Sequence, residues 1–366
     1  MRVAVVGAGN VGCALAVHLS LGGHEVRVCT RSEERLRPIR EAGRLTATGA
    51  IQGSAPIALL TTSLPEAVAG AEVIAVTVPT PALPYYAPAL AGAVTGDQLL
   101  WLNPGHSGGA LYLAAEIARV TGRSGRPICQ LSTASHGSRM TGLATVNVFR
   151  LSPATLAALP ARHLDECRQR VDALLPGQFG TAGSVLELDL SNINAVMHPA
   201  QMICNAGWIE ATGGDFRIYR EGSGVAVARV IEAVDKERLA LAAQLGAPTT
   251  PFAEILHRAG YTTAPAARTG RVHEALQAGV AIRSVKAPPT LDHRYLHEDV
   301  GWGLVPWISL AGHAGVATPT MTALTQLASV MNGLDYYART GLTLDKMGLA
   351  GTPPQRIHEH VIEGAL

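Results

Sequence analysis

The sequence predicts an α/β protein with two domains, a mainly parallel sheet with flanking helices over residues 1–188 and an all-helical domain over residues 189–366. Three observations favour this fold class. A glycine-rich turn links an apolar run to a helical pattern at the start of the chain, strand-like and helical runs then alternate, and the pattern beyond residue 188 is helical almost throughout. Alternation of strands and helices is typical of a doubly wound sheet.

The first three elements are predicted from residues 1–29. Met1–Val6 is a Val-rich apolar run of the kind found in buried parallel strands, Cys13–Leu21 is a helical run closed by two glycines, and Glu25–Cys29 is a second strand. The turn between strand and helix reads Gly-Ala-Gly-Asn-Val-Gly. In this strand–turn–helix–strand context, G-x-G-x-x-G is the fingerprint of a Rossmann dinucleotide-binding fold.

Each residue type in the turn has a physical role. Gly7 permits the tight turn, Gly9 lets the backbone approach a pyrophosphate, and Gly12 lets the helix pack closely on the strand. Asn10 and Val11 lie in the turn just before the predicted helix and are candidate cofactor contacts, because free N–H groups at a helix start and the helix dipole favour a phosphate.

The end of the second strand predicts the cofactor. An NAD site places Asp or Glu there to bind the ribose 2′-hydroxyl. This chain instead has Thr30, Arg31 and Ser32, with Arg35 one helical turn later. A guanidinium and hydroxyls suit a 2′-phosphate, so NADP(H) is predicted, with NAD(H) as second choice.

Four later strands and two helices continue the alternation: strands Pro56–Leu60, Val73–Val78, Gln98–Leu102 and Ile128–Leu131, and helices Ser63–Ala69 and Gly109–Arg119. Two loops at strand ends are expected near the nicotinamide, because ligands of such sheets bind at the carboxyl ends of the strands. They contain Pro79 and Asn103, and the loop that begins at Asn103 also contains His106 and opens a helix, which makes it a second candidate anion site.

Four helical patterns indicate the second domain: Ser191–Thr212, Val225–Leu245, Ala253–Arg258 and Pro319–Leu334. The first of them carries a polar stripe on an apolar helix, since Asn194, His198, Gln201 and Asn205 are spaced to share one face. Such a stripe suggests a helix that lines a cleft at the domain junction. The stripe alone leaves His198 open as either a cleft residue or a satisfied core histidine.

A second polar cluster runs from residue 286 to residue 299, just before an apolar segment. Charged groups beside a core segment tend to be paired or functional. His293 and His297 have the i, i+4 spacing of metal ligands, but the sequence suggests no third ligand, so no metal site is predicted.

Composition excludes several classes of protein. The formal net charge of +1 gives no sign of a nucleic-acid or anionic-membrane partner. The most apolar window, Val73–Val94, contains four prolines and is not a membrane span. The five cysteines are scattered without a C-x-x-C pair, which favours a reducing, cytoplasmic setting over a disulfide framework.

Several motifs in order along the chain resemble the octopine/nopaline (opine) dehydrogenase family. The matching residues are Asn103-Pro104-Gly105, the run from Ser191 to Ala200, Asn205-Ala206-Gly207, Tyr219-Arg220-Glu221-Gly222, Val227 to Ile231, Asp235 to Leu239, Lys286-Ala287-Pro288, and His293 to Asp299. The similarity spans nearly the whole chain and is densest between residues 190 and 307.

The resemblance implies a reversible, NAD(P)H-dependent condensation of a 2-oxo acid with the amine of an amino acid, giving a secondary amine dicarboxylate. The family's catalytic histidine maps onto His198, and its arginine and aspartate map onto Arg294 and Asp299. These types suit the reaction, because imidazole exchanges protons near neutral pH, a carboxylate on its second nitrogen fixes its orientation, and a guanidinium holds a carboxylate bidentately.

This chain departs from the family in one segment. Members often carry a Glu-Thr pair after the sixth strand, whereas residues 132–139 here read Ser-Thr-Ala-Ser-His-Gly-Ser-Arg. Loss of the acidic residue disfavours arginine-like or lysine-like amine substrates. His136 is a candidate substrate contact, together with Arg294, Asn194 and Gln201, although a plain loop role for His136 is equally open.

The predicted partners are therefore a 2-oxo acid and an amino acid, and assembly as a homodimer stays open. Two other functions are compatible with the sequence: a 2-oxo acid reductase of the ketopantoate type that uses no amine, and a non-catalytic NADP-sensing protein. The presence of all three catalytic residue types weighs against a sensor.

Overall fold

The structure is a computed structural model that describes residues 1–105, 107–339 and 341–364. The described chain forms two compact units, one of residues 1–188 with 359–364 and one of residues 189–358. The second domain was predicted to run to residue 366, so the structure differs at the C-terminus, where the residues from 359 onward join the first unit. There, Glu363 forms an ion pair with Arg162.

The described strands all lie in the first unit: β1 (Arg2–Val6), β2 (Glu25–Cys29), β3 (Leu45–Gly49), β4 (Gly53–Ala55), β5 (Leu59–Thr61), β6 (Val73–Val76), β7 (Leu99–Leu102), β8 (Ile128–Leu131), β9 (His136–Gly142), β10 (Thr145–Leu151), β11 (Thr155–Leu159) and β12 (Gly180–Thr181). The main sheet has the order β12-β11-β8-β7-β6-β1-β2-β5 and is parallel except where β11 meets β8. A smaller sheet has the order β4-β3-β10-β9.

The α-helices that start in the first 188 residues are α1 (Asn10–Leu21), α2 (Glu33–Ala42), α3 (Leu64–Val68), α4 (Leu83–Ala93), α5 (Gly109–Thr121), α6 (Leu164–Asp172) and α7 (Val185–Asp189), with short 3₁₀ turns at Thr80–Ala82 and Ala161–His163. The strands β1, β6, β7 and β8 are buried along their whole length or nearly so, as expected of parallel strands covered on both faces. The predicted fold class of this domain is confirmed.

The smaller sheet is one part of the fold that the sequence pattern does not predict. Buried and exposed residues alternate only weakly along β9 and β10. Phe149 in β10 and Leu143 in the turn between the two strands are exposed, so the sequence shows neither a clear period of two nor a continuous apolar run. The sheet is fastened to α1. Asn10 Oδ1 accepts from the Met140 amide at 2.9 Å, and a ring nitrogen of His18 lies 3.0 Å from one of His136.

The regular secondary structure in the described part of the second unit is helical, apart from an isolated antiparallel bridge between Arg217 and Lys286. Its helices are α8 (Ile193–Cys204), α9 (Ala206–Thr212), α10 (Val225–Gln244), α11 (Phe252–Arg258), α12 (Ala264–Arg268), α13 (Val272–Gln277), α14 (Arg294–Asp299), α15 (Val305–Ala314), α16 (Pro319–Asn332) and α17 (Tyr336–Arg339). A π-helical segment covers Val300–Leu304, a 3₁₀ turn covers Pro354–Arg356, and α18 (Ile357–Glu363) ends the described chain.

The helix predicted over Ser191–Thr212 is divided into α8 and α9 at Asn205. The Asn205 side chain donates to the carbonyls of Gln201 at 2.7 Å and Gly222 at 2.8 Å, so it ends α8 and ties it to a following loop. No helix in the described part of the chain is long and apolar enough to cross a membrane.

Candidate active site

The glycine turn after β1 has the geometry that a dinucleotide requires. Gly7 has φ +116°, and a Cβ added at Gly12 would lie 1.8 Å from the Gly7 carbonyl oxygen, so neither position accepts another residue without a shift of the backbone. A Cβ added at Gly9 would meet nothing within 4 Å. The protein's own packing therefore does not require glycine at position 9, whereas a pyrophosphate approaching the start of α1 does. These residues fit the cofactor.

Arg31 lies just beyond the end of β2 and is exposed, with its guanidinium carbon 5.5 Å from the centre of the Tyr85 ring. Arg35 is also exposed on α2, and Ser32 precedes that helix. Thr30 is buried, and its amide donates to the Thr61 carbonyl at 3.3 Å, which fixes the strand end. Two guanidinium groups are thus available beside the strand end where a ribose is bound in this fold.

Asn103, which was predicted to contact the cofactor, has a structural role. Its side chain is fully buried, and Oδ1 accepts from the Ser135 amide at 2.9 Å while Nδ2 donates to Ser135 Oγ at 2.7 Å. The loop after β7 is thereby joined to the segment after β8, and the cofactor contact by Asn103 stays a prediction. Pro79 precedes the 3₁₀ turn at Thr80–Ala82, and His106 lies outside the described residues.

His136, which was predicted as a candidate substrate contact, is also directed inward. It is 1% exposed, and its two ring nitrogens lie 2.7 Å from Ser135 Oγ and 3.0 Å from His18 Nδ1. Burial, with a smaller contribution from His18, lowers the pKa of His136 to about 3. These contacts favour the loop role that the sequence left open, and the substrate contact by His136 stays a prediction.

His198 and Asp299 meet inside the second unit. The Nδ1 of His198 lies 2.7 Å from Asp299 Oδ2, and both side chains are buried. Because a carboxylate only accepts hydrogen bonds, Nδ1 carries the proton and Nε2 is the exchangeable nitrogen. His198 comes from α8 and Asp299 from the end of α14. The π-helical segment that follows α14 packs closely on α8. Gly303 allows this approach, since a Cβ added there would lie 2.6 Å from the Ala195 side chain.

Two tyrosines that the sequence analysis did not single out complete this cluster. Tyr219 Oη lies 2.8 Å from His198 Nε2 and 3.1 Å from Tyr295 Oη. The Tyr295 ring stacks on the His198 ring with centroids 3.6 Å apart and planes 8° apart. Burial, with the neighbouring Tyr295 hydroxyl, raises the pKa of Tyr219 well above its ordinary value, so this phenol stays protonated.

The loop that carries Tyr219 is held by a second segment of the chain. Arg217 and Lys286 form an antiparallel bridge, flanked by hydrogen bonds from the Ile218 amide to Val285 and from the Ala287 amide to Phe216. Gly214, at φ +77°, lets the loop begin in contact with this segment, where a Cβ would lie 2.4 Å from a backbone carbonyl. Two motifs that carry the family resemblance, 219–222 and 286–288, are therefore neighbours in space.

Arg294 begins α14 and is exposed, with 62% of its side-chain surface accessible. Its Nε and Nη2 donate to one oxygen of Glu298, at 2.9 and 2.5 Å. Among the described residues Nη1 has no hydrogen-bond partner. The guanidinium is therefore oriented by Glu298 and keeps donors for a carboxylate. It is a neighbour of the His198 cluster along α14, through Tyr295.

The remaining polar stripe of α8 binds the loop at 217–223 more than it lines a cleft. Gln201 is fully buried and its Nε2 donates to Ser223 Oγ at 2.7 Å, and the substrate contact by Gln201 stays a prediction. Asn194 lies in the first turn of α8, half-buried, with its amide bonded to Asn192. Of the stripe, only Asn194 keeps an accessible side chain beside His198.

The two histidines considered as metal ligands have other partners. His293 is the N-cap of α14, where Nδ1 accepts from the Tyr295 amide at 3.3 Å. His297 lies between Asp292 at 2.7 Å and the Tyr336 hydroxyl at 2.8 Å. Within residues 1–105, 107–339 and 341–364, no group of three or more His, Cys, Asp or Glu side chains is arranged to hold a metal ion.

Comparison with known proteins gives the family. Residues 181–332 match the model of the NAD/NADP octopine/nopaline dehydrogenase alpha-helical domain, and residues 2–145 match that of the NAD-dependent glycerol-3-phosphate dehydrogenase N-terminus. The chain is 33% identical to an opine dehydrogenase of Arthrobacter sp. (strain 1C) over 95% of each chain. The chain belongs to the octopine/nopaline dehydrogenase family. It is an oxidoreductase that binds a dinucleotide and acts on CH–NH bonds.

Solved structures of octopine/nopaline dehydrogenases share the fold. Octopine dehydrogenase in complex with NADH and L-arginine has a TM-score of 0.80 at 21% identity and covers 94% of this chain and 95% of its own. Yersinopine dehydrogenase with bound NADP⁺ has a TM-score of 0.74 at 17% identity, covering 99% of this chain and 98% of its own. The predicted helical fold of the second domain is confirmed, and residues 181–332 match the helical domain of the family.

Proposed function

We propose that this opine dehydrogenase prefers NADP(H) and condenses a 2-oxo acid with the amino group of an amino acid, giving a secondary amine dicarboxylate. The hydrogen bond of 2.7 Å between His198 and Asp299 is the observation that carries the proposal, because it provides an oriented acid–base group at the positions that match the family's catalytic residues. When bound, the nicotinamide supplies the hydride for the carbon–nitrogen bond.

The roles assigned to the protein's residues follow from their contacts. Residues 7–12 and the start of α1 bind the pyrophosphate, and Arg31 with Arg35 binds the 2′-phosphate. Arg294, oriented by Glu298, holds the carboxylate of the 2-oxo acid. His198 takes up and releases the proton that dehydration of the carbinolamine requires, and Asp299 fixes its tautomer and stabilises its charged form.

The amine partner is proposed to be an amino acid without a positive side chain. Residues 132–139 contain no carboxylate, and Arg139 adds a positive charge there. A cationic side chain would thus meet no counter-ion in this segment. A solved relative binds L-arginine, so the proposal predicts a difference in amine selectivity within one fold.

A substrate matrix tests this proposal. Purified protein is assayed with several 2-oxo acids, each alone and with neutral, acidic and basic amino acids, and with NADPH or NADH, while cofactor absorbance is followed and products are identified by mass. Cofactor oxidation that needs both an oxo acid and an amine, with a secondary amine as product, supports the proposal. Oxidation with the oxo acid alone would instead assign a 2-oxo acid reductase.

A further inference from the structure

The cluster around His198 contains more hydroxyl groups than a histidine–carboxylate pair needs. Tyr219 and Tyr295 form a chain of hydrogen bonds from His198 Nε2, with steps of 2.8 and 3.1 Å. Both nitrogens of the imidazole are therefore occupied, Nδ1 by Asp299 and Nε2 by Tyr219. A substrate atom cannot bind Nε2 directly while Tyr219 remains there.

Exposure increases along the same chain of groups. Asp299, His198 and Tyr219 are 3%, 4% and 5% exposed, whereas Tyr295 is only half-buried. Tyr295 is thus the accessible end of the cluster, and it directly follows Arg294, the proposed carboxylate-binding residue. Its position is fixed twice, since its ring stacks on His198 and its amide donates to His293.

We propose that Tyr295 and Tyr219 form a proton relay, in which the Tyr295 hydroxyl is the group that exchanges a proton with the substrate and His198 is the reservoir behind it. This inference rests on the proposed condensation reaction and extends it. Tyr295 is then a catalytic residue, because it touches the substrate, and Tyr219 transmits the proton between Tyr295 and His198.

The direction of the hydrogen bonds explains how the relay operates. With neutral His198, Nε2 accepts from Tyr219, and Tyr219 accepts from Tyr295, so the Tyr295 proton faces inward. When His198 is protonated, Nε2–H donates to Tyr219, Tyr219 donates to Tyr295, and the Tyr295 proton is free to face the substrate. Protonation of the buried His198 ring therefore determines whether the Tyr295 hydroxyl can donate its proton to a substrate.

The proton balance of the dehydration step is complete. The carbinolamine C–O bond breaks as its hydroxyl takes the Tyr295 proton and leaves as water, while the nitrogen lone pair forms the C=N bond. Tyr295 takes the proton of Tyr219, and Tyr219 takes the Nε2 proton of His198, which becomes neutral with Nδ1–H still bonded to Asp299. One proton from solvent restores the imidazolium, matching the one proton that the overall reaction consumes.

Single substitutions of the two tyrosines test the relay. Tyr295→Phe and Tyr219→Phe should each lower kcat by about 10²–10³-fold, the effect of removing a general acid–base path, with the KM of both substrates changed by less than about threefold. Tyr337→Phe is the matched control, because it removes a phenol whose hydroxyl contacts Thr325 and Thr322 and lies outside the relay. It should retain the wild-type kcat.

Three further readouts distinguish a relay from a structural role. The double variant Tyr219→Phe/Tyr295→Phe should be no slower than the slower single variant, since one path is lost only once. The wild type should give a curved dependence of kcat on the deuterium fraction of the solvent, indicating several protons in motion, and Tyr295→Phe should give a straight line. Added imidazolium or ammonium ions should restore part of the kcat of Tyr295→Phe and should leave the kcat of the wild type and of Tyr337→Phe unchanged.

If Tyr295→Phe impairs folding, the relay can be tested with a fluorinated tyrosine introduced at position 295. It keeps the ring stack and the hydroxyl while making the phenol more acidic, so kcat should shift in a graded manner with the number of fluorines. Wild-type kcat in Tyr295→Phe and Tyr219→Phe, with a linear isotope dependence throughout, would overturn the relay and leave the condensation intact. A wild-type enzyme that turns over no pair of oxo acid and amine would overturn both proposals.

Discussion

The guanidinium of Arg294 donates two hydrogen bonds to a single carboxylate oxygen of Glu298, one turn later on the same helix. The pair uses one edge of the planar fork and orients the remaining donors. Because Arg294 is exposed and Glu298 is buried, the carboxylate is the fixed partner and the arginine is the one that can reach a ligand.

Arg294→Ala should therefore act on the oxo acid. Loss of a charge-assisted contact costs about 1.5–3 kcal/mol, so the KM of the oxo acid should rise about 10- to 100-fold while that of the amine changes little. Arg258→Ala is the matched control, because Arg258 forms a similar exposed pair with Glu254 four residues earlier. Initial rates at varied concentration of each substrate measure the effect, and equal changes in both KM values would contradict it.

The pair of His198 and Asp299 should behave as one catalytic unit. His198→Ala should lower kcat by about two to four decades, as expected for a removed acid–base group, and Asp299→Asn should approach that value. The double variant should be scarcely slower than either single variant. His257→Ala, which removes a histidine outside this cluster, serves as the control. Additive losses, or a His198→Ala enzyme of nearly wild-type kcat, would return His198 to the core histidine considered from the sequence.

Arg31→Asp should change the choice of cofactor. Loss of a contact to the 2′-phosphate should weaken NADPH by about 1.5–3 kcal/mol and leave NADH little affected. Arg37→Asp makes the same change of charge on an exposed residue of α2 and should leave both cofactors as they were. Fluorescence titration of NADPH and NADH measures both affinities without turnover. Equal use of NADH and NADPH by the wild type would refute the predicted preference.

The lowered pKa of His136 predicts that the folded protein becomes less stable in acid. Its pKa is lowered to about 3 in the folded protein, whereas histidine in an unfolded chain titrates near 6.5. Between these values the unfolded chain binds more protons, so the stabilising effect is complete above about pH 6.5 and decreases as the pH falls toward 3. For this one group the free energy of unfolding should drop by about 2 kcal/mol from pH 7 to pH 5.

Urea unfolding at pH 7 and pH 5 measures that drop in the wild type and in His136→Gln. The variant should show a smaller pH dependence even if it is less stable at both pH values, because it has no buried imidazole to protonate on unfolding. His358→Gln removes a histidine outside this network and should keep the wild-type dependence. An unchanged pH dependence in His136→Gln would show that other groups determine acid stability.

Removal of metal ions should leave activity unchanged. The proposed reaction needs only hydride and proton transfer, and His293 and His297 are occupied by the α14 cap, Asp292 and Tyr336. The check is prolonged treatment with a chelator followed by assay and metal analysis. Stoichiometric metal in the purified protein, together with loss of activity when it is removed, would contradict this prediction.

The elements around the glycine turn were predictable because their signals are local. Strands β1 and β2 lie where the apolar runs indicate, since Gly7, Gly9 and Gly12 leave only one strand–turn–helix arrangement that satisfies their spacing. The strand predicted over Pro56–Leu60 begins three residues and ends one residue too early, because β5 is Leu59–Thr61 and is set by its pairing with β2. Pairing partners lie far along the sequence, and apolar pattern alone does not reveal them.

In the candidate site, too, local features were predictable from the sequence and long-range contacts were not. Periodicity placed Asn194, His198, Gln201 and Asn205 on one face of a predicted helix, but it could not identify what packs against that face. Gln201 and Asn205 bond to Ser223 and Gly222, some twenty residues later. Tyr219 lay inside a motif of the family resemblance, yet no spacing linked it to His198, because the contact depends on a loop held by residues 285–287.

Because β9 is attached to both ends of α1, opening of the β9–β10 hairpin and binding of a dinucleotide are coupled in free energy. Asn10, in the first turn, bonds to Met140, and His18, in the last, bonds to His136, so separation of the β9–β10 hairpin would break hydrogen bonds at both ends of the helix that is proposed to bind the phosphates. A dinucleotide that binds only the intact helix must then protect the hairpin amides from hydrogen exchange. By reciprocity, the factor by which bound dinucleotide favours the closed hairpin equals the factor by which closure of the hairpin raises dinucleotide affinity, so a substitution that leaves the hairpin open in most molecules should weaken dinucleotide binding.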